Sequence, residues 1–106
     1  MKAPAHLDPA TARWWRAVLR EYALEDHHIR LLTLAAEAWD RTQQARAALQ
    51  QHGLTFEDAS GNPRPRPEVA IERDSRTAFA RLIRELDLDH TTLPESRPPG
   101  LRSNRG

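Results

Sequence analysis

Three prolines at alternate positions, Pro63, Pro65 and Pro67, constrain this chain more than any other feature. A proline has no backbone N–H and its ring clashes with the preceding helical turn, so no helix runs through residues 63–67. The sequence on both sides is helical in pattern, so helices are expected before and after a non-helical excursion. The turn residues Ser60-Gly61-Asn62 precede the prolines. Together they predict a short hairpin or extended excursion over about 54–66, its second arm in polyproline or edge-strand geometry. Arg64 and Arg66 alternate with the prolines, either as a basic finger aimed at nucleic acid or as solvated arginines on a connector.

Ahead of the excursion, Asp8-Pro9 is a helix start. The Asp side chain caps free N–H groups and Pro fits the first helical position. The first helix is expected over about 9–22, with Trp14, Trp15, Val18, Leu19 and Tyr22 as its apolar stripe and Arg13, Arg16 and Arg20 toward the other side. Residues 1–7 read as a loose arm. "ALED" interrupts the pattern, with Leu24 and Ile29 spaced for a hydrophobic staple around a cap at Glu25. A second helix then runs over about 26–52 and ends at Gly53. Its first half is apolar on more than one face and so meets more than one neighbour. Its second half, "DRTQQARAALQQH", has a thin stripe through Ala45, Ala48 and Leu49 and is expected to pack on another chain. A third helix is expected over about 67–87, with a stripe through Ile71, Ala78, Phe79, Leu82, Ile83 and Leu86. The fold class is therefore mainly α: three helices, a short hairpin or extended excursion, and a flexible tail. Residues 1–89 form the helical domain, and 90–106, rich in Pro, Ser, Gly and Arg, form the tail.

Composition narrows function mostly by exclusion. The 106 residues suffice for one small domain with a limited core. Net charge is +1, so nucleic-acid contact must come from local asymmetry or from charge summed over several subunits. Lys2 is the sole lysine; the other cations are arginines, which suit forked contacts to phosphate and carboxylate. No cysteine is present, which excludes disulfides, thiolate metal sites and cysteine nucleophiles. The start "MKAPAHLDPA" lacks the apolar core of a signal peptide, and no apolar run is long enough to span a membrane. The four glycines are scattered and build no phosphate loop. Acidic residues lie beside basic ones, as in "IERDSR" and "LIRELD", a pattern of surface ion pairs rather than paired catalytic carboxylates. No catalytic residue and no cofactor site is assigned. His27-His28 lacks the usual helical metal spacing, and adjacent helical residues point about 100° apart, so no metal site is expected.

Trp14 and Trp15 cannot both face one core. One is expected inside and the other half-exposed or at a partner contact. The first two helices, joined by a short turn, also fit a helix-turn-helix, although "EDHHIRLL" puts acidic residues where phosphates would lie.

The succession of these pieces resembles the small terminase subunits of tailed phages and prophages, in the branch common to cos-type, siphovirus-like genomes. The resemblance covers about residues 6–89. It rests on the leading helix after "HLDP" with "WW", the long helix "LLTLAAEAWDRTQQARAAL" into "HGLTF", the glycine turn, the proline run into "PEVAIERDS", and "FARLIRELDL". Many relatives close the last helix with Leu-Gly-Leu; here Asp87 stands in place of the glycine.

The resemblance implies a non-enzymatic packaging adaptor in the host cytoplasm during virion assembly. It implies a homo-oligomeric ring that binds double-stranded viral DNA and recruits the large terminase subunit, with no membrane partner and with residues 1–89 as the oligomerisation and packaging domain. Candidate DNA contacts are Lys2, Arg13, Arg16, Arg20, Arg64, Arg66, Arg73 and Arg76. Candidate oligomer contacts are Trp14, Trp15, Leu31, Leu34, Ala38, Ala45 and Leu49. Candidate contacts to the large subunit are Arg97, Leu101, Arg102 and Arg105. The competing readings are a dimeric helix-turn-helix regulator and a purely structural phage assembly protein.

Overall fold

A computed structural model describes residues 1–88 of the chain. The expected tail, with Arg97, Leu101, Arg102 and Arg105, lies outside the described residues. In chain order the elements are α1 (Pro9–Glu21), α2 (Asp26–His52), β1 (Thr55–Glu57), β2 (Pro63–Pro65) and α3 (Pro67–Leu86). The three expected helices and the hairpin are all present.

Each boundary has a local cause. Asp8 accepts a hydrogen bond from the Ala10 amide at 3.3 Å, and Pro9 occupies the first turn of α1. Tyr22 turns to extended geometry and stops the helix. At the start of α2, the Glu25 amide donates to His28 Nδ1 at 3.1 Å, so a histidine supplies the returning half of a capping box. Gly53 ends α2 with φ +84°, a value that side chains resist. Asp87 ends α3 in the left-handed conformation, φ 50° and ψ 58°. Glycine enters that conformation freely. Aspartate is one of the few other residues that enters it readily.

The alternation of proline and arginine follows from the hairpin register. Thr55 pairs with Pro65, Phe56 with Arg64, and Glu57 with Pro63. Bonds flank this ladder from the Asp58 amide to the Asn62 carbonyl and from the Arg66 amide to the Leu54 carbonyl, both at 2.9 Å. Antiparallel pairs alternate between bonded and non-bonded. The even-numbered pairs 58–62, 56–64 and 54–66 are therefore the bonded ones. Pro63 and Pro65 fall at positions whose N–H would point away from β1, so their missing donors cost the ladder nothing. Pro67 then opens α3.

The hairpin reverses the chain, and α3 returns antiparallel along α2. The register shows in their cross-contacts: Trp39 with Phe79, Thr42 with Ser75, and Arg46 with Glu72. At 1.5 Å per residue the 27-residue α2 spans about 40 Å. Its first half meets α1 on one side and α3 on the other, as its two apolar faces predict. The core gathers there: Leu7, Trp15, Val18, Leu32, Ala36 and Leu86 are buried in one cluster. The Trp15 indole N–H donates to the Thr33 hydroxyl at 3.2 Å, so this ring is buried without an orphaned donor.

One expectation is corrected. Residues 1–7 are no loose arm. Leu7 is buried, Ala3 packs on the core, and the Asp8 amide donates to the Asp40 carboxylate at 2.8 Å. Asp40 also accepts from the Thr11 hydroxyl and so pins the arm and the start of α1 to α2. The second half of α2, expected to pack on another chain, is covered in part within its own chain. Thr42 and Ala45 are buried on the side that meets α3, and the Thr42 and Ser75 hydroxyls bond at 2.8 Å. Small residues along this seam let the two helices approach closely, so a thin stripe suffices.

The described layout predicts where stability resides. Leu86→Ala, at a fully buried position, is expected to cost about 2–5 kcal/mol. Leu54→Ala, at a position 65% exposed, is expected to cost under about 0.5 kcal/mol. Chemical denaturation at one fixed protein concentration checks both.

Candidate nucleic-acid interface

The eight candidate cations for DNA separate by what they already touch. Arg64 in β2 donates to Asp58 at 2.9 Å. Asp58 also accepts from the amides of Ser60 and Asn62, both at 2.9 Å, across the turn at Gly61. The Arg64 guanidinium, followed by the Asn62 amide, holds the Asp58 carboxyl below its usual range. Arg66 donates to the His52 carbonyl at 3.3 Å, satisfying an end group of α2. Both hairpin arginines are thus used in building the hairpin.

On α3, Arg73 donates to Asp74 at 2.9 Å, which raises its own pKa. Arg76 and Arg46 both reach Glu72, at 3.3 and 3.0 Å. These two guanidinium groups, Arg46 first, lower the Glu72 pKa.

Arg13, Arg16 and Arg20 differ. All three are exposed and, among the described residues, none has an ion pair. At 100° per residue they fall within roughly 60° of one another, over about 10 Å of helix. Trp15 and Val18 bury the opposite side of α1, so the stripe faces outward. Glu21 is the only carboxylate on α1 and lies about 100° from Arg20. Lys2 is also exposed, in the arm ahead of α1. Arg81 and Arg84, not among the sequence candidates, are further exposed arginines on α3 without a described ion pair. Nothing in their local sequence set them apart from Arg73 and Arg76.

The oligomer candidates divide as well. Trp15 and Ala45 are 2% and 3% exposed, so they are core residues with no surface to offer a neighbour. Trp14 is half-buried, its ring centroid 6.2 Å from that of Phe79. Leu31, Ala38 and Leu49 are half-buried and Leu34 is 52% exposed. On α3, Ile71 is exposed and Ala78 and Leu82 are half-buried.

His27 and His28 come closer than helical spacing suggested. Their ring centroids lie 4.1 Å apart, and with Glu25 they bring ligand atoms within 4.8 Å of one another. The cause is the cap, since His28 folds back to accept the Glu25 amide. That bond occupies His28 Nδ1, and the cluster sits at the positive end of α2, where a cation is disfavoured. No described helix is long and apolar enough to cross a membrane.

This architecture has α1 with its arginine stripe, a long helical hairpin, and a β-hairpin at the far end. A family model described as phage terminase, small subunit, matches residues 12–97, and the chain belongs to that family. No curated protein and no solved structure gives a significant match.

The Asp58 knot makes a pH prediction. Its folded pKa is lowered, so the unfolded chain binds the extra proton first. The contribution of the Arg64 pair is complete above the ordinary aspartate value of about 3.9 and is lost as pH falls through the lower folded value. By NMR, the Ser60 and Asn62 amides are expected to titrate together with a midpoint below about 3.9. Asp58→Asn should abolish that titration; amides that ignore acid would contradict the knot.

Proposed function

We propose that this chain is a non-enzymatic DNA-packaging adaptor of the cos-type, siphovirus-like branch, working in the host cytoplasm as a homo-oligomeric ring. The ring binds double-stranded viral DNA and delivers it to the large terminase subunit, which carries the chemistry. Family membership supports the role in packaging. The observation that carries DNA binding is the unpaired stripe Arg13, Arg16 and Arg20 on the outer side of α1.

A protomer of net charge +1 binds DNA weakly by itself. Copies arranged around an axis would repeat the stripe and make a dense band of positive charge. Such contacts position phosphates and carry little base readout. Arg64, Arg66, Arg73 and Arg76 contribute less in this reading, because each first supports a contact within the protomer. Lys2 adds to the same band from the arm.

Assembly uses the exposed margin of the α2–α3 hairpin. Leu34 and Ile71 leave apolar surface in water there, and Leu31, Ala38 and Leu49 lie half-buried beside the seam. Burying such surface against a second copy is favourable at about 25 cal/mol per Å². Trp14 contributes from α1 only through its uncovered part. A heterologous contact of this kind closes into a ring when its rotation divides a full turn. The large-subunit contact is assigned to Arg97, Leu101, Arg102 and Arg105.

The triple variant Arg13→Ala, Arg16→Ala, Arg20→Ala tests the DNA assignment by fluorescence anisotropy over a salt series. Affinity should fall on every duplex sequence, and the slope of log K against log salt should become shallower by about 0.9 for each phosphate contact removed. Arg64→Ala with Arg66→Ala should change the slope less. The reverse ranking would place the DNA on the hairpin.

A further inference from the structure

The described surface holds an aromatic recess that the DNA-packaging reading leaves unused. Ala10, Thr11, Trp14, Trp39 and Phe79 line a cavity of about 260 Å³ between the first turns of α1, the middle of α2 and α3. Trp39 and Phe79 meet at a tilted angle, their centroids 5.2 Å apart, and Trp39 is 44% exposed. An apolar cavity of about 150 Å³ already admits benzene, so this recess has room for the ring of one phenylalanine.

A groove adjoins the recess and shares Ala10, Thr11 and Trp39 with it. Asp8 and Asp40 line this groove, and neither has an ion pair among the described residues. His6, on the same groove, is engaged by Glu37 at 2.7 Å. Asp8 accepts from the Ala10 amide, and Asp40 from the Asp8 amide and the Thr11 hydroxyl. An ionised carboxylate has about four acceptor sites, so the pair retains capacity for a cation.

The β-hairpin carries a matching surface. Phe56 and Arg64 are directly paired, so their side chains stand on one face of the hairpin, and Leu54 and Arg66 extend that face by one more pair. Leu54 and Phe56 are both exposed. Arg64 is paired with Asp58. Arg66 gives its Nε–H to the His52 carbonyl and has no ion pair among the described residues. Two apolar side chains beside an unbalanced guanidinium complement an apolar recess beside two unbalanced carboxylates.

A protomer's own hairpin cannot fill its own recess. From Trp39 to the end of α2 at His52 is about 20 Å of helix. The Arg66 bonds to the Leu54 and His52 carbonyls fix the hairpin at that end. The fitting occupant is the hairpin of a second copy. Knob and recess lie on different parts of the chain, so the contact is heterologous and passes from copy to copy.

Resting on the homo-oligomeric reading above, we propose that Phe56 of one protomer seats in the Trp14–Trp39–Phe79 recess of the next. Leu54 lies beside it, and Arg66 turns to Asp8 and Asp40. The hairpin then serves assembly, while α1 serves DNA.

The chain has no cysteine, so introduced thiols report on a chosen pair of positions. Gln43→Cys on the groove and Thr55→Cys beside Phe56 are at exposed positions and leave the phenyl ring and its recess intact. A short bismaleimide joins thiols that are near but not in disulfide geometry. With it, the double variant should give a covalent ladder of many subunits on a denaturing gel, and each single variant should give no ladder. Adding Phe56→Ser should remove the ladder while helical circular dichroism is unchanged. Light scattering on untreated samples separates two failures. An oligomer that gives no ladder, gives covalent dimers only, or keeps its ladder after Phe56→Ser would overturn the docking and leave the ring standing. A monomer would overturn both.

Discussion

The structure depends on one junction. Trp15 of α1, Leu32 of α2 and Leu86 of α3 are almost fully excluded from water and belong to a single buried cluster. One large side chain from each helix is committed there. Burying three such groups is worth several kcal/mol by transfer energies alone. The junction also sets the rotation of α1 about its axis. Once Trp15 and Val18 face inward, Arg13, Arg16 and Arg20 have to face outward. The surface assigned to DNA is thus a geometric consequence of where one tryptophan is buried.

Electrostatics then sorts the arginines. The acidic residues are spread along α2, the turn and α3, so most arginines on those elements find a carboxylate within their own protomer. The cations on α1 do not, because α1 carries a single carboxylate and that residue lies on a different face. Surface pairs of this kind contribute little stability each. Their larger effect is to decide which guanidinium groups remain uncommitted. The β-hairpin illustrates the point. Its arginines look like a basic finger in the sequence, yet Asp58 and the His52 carbonyl engage both.

Local features of the fold were legible because their causes are local. Asp8-Pro9, Gly53 and the proline run announce helix ends and a hairpin from a few neighbouring residues. What was not legible depends on residues far apart in the chain. Nothing near residue 7 announces Asp40, which holds the arm to α2. The seam between Thr42 and Ser75 looked too thin to bury, because the sequence does not reveal how closely two small-residue faces approach. Trp14 and Trp15 had to divide between core and surface, but which one turns inward follows from α2 and α3. The aromatic recess is of the same kind, since Trp39 and Phe79 meet only across the antiparallel pair. Arg64 and Arg66 needed the turn geometry before their partners could be assigned. Family resemblance pointed to the terminase small-subunit role, whereas the left-handed backbone at Asp87 needed the structure.

The central claim is that this small, nearly neutral protomer acts as a ring. The most direct test is native mass by light scattering on a sizing column, over a range of protein concentrations. The account predicts a single species of many subunits that persists on dilution. A clean monomer or dimer would contradict it, and would return weight to a helix-turn-helix regulator acting on a paired site.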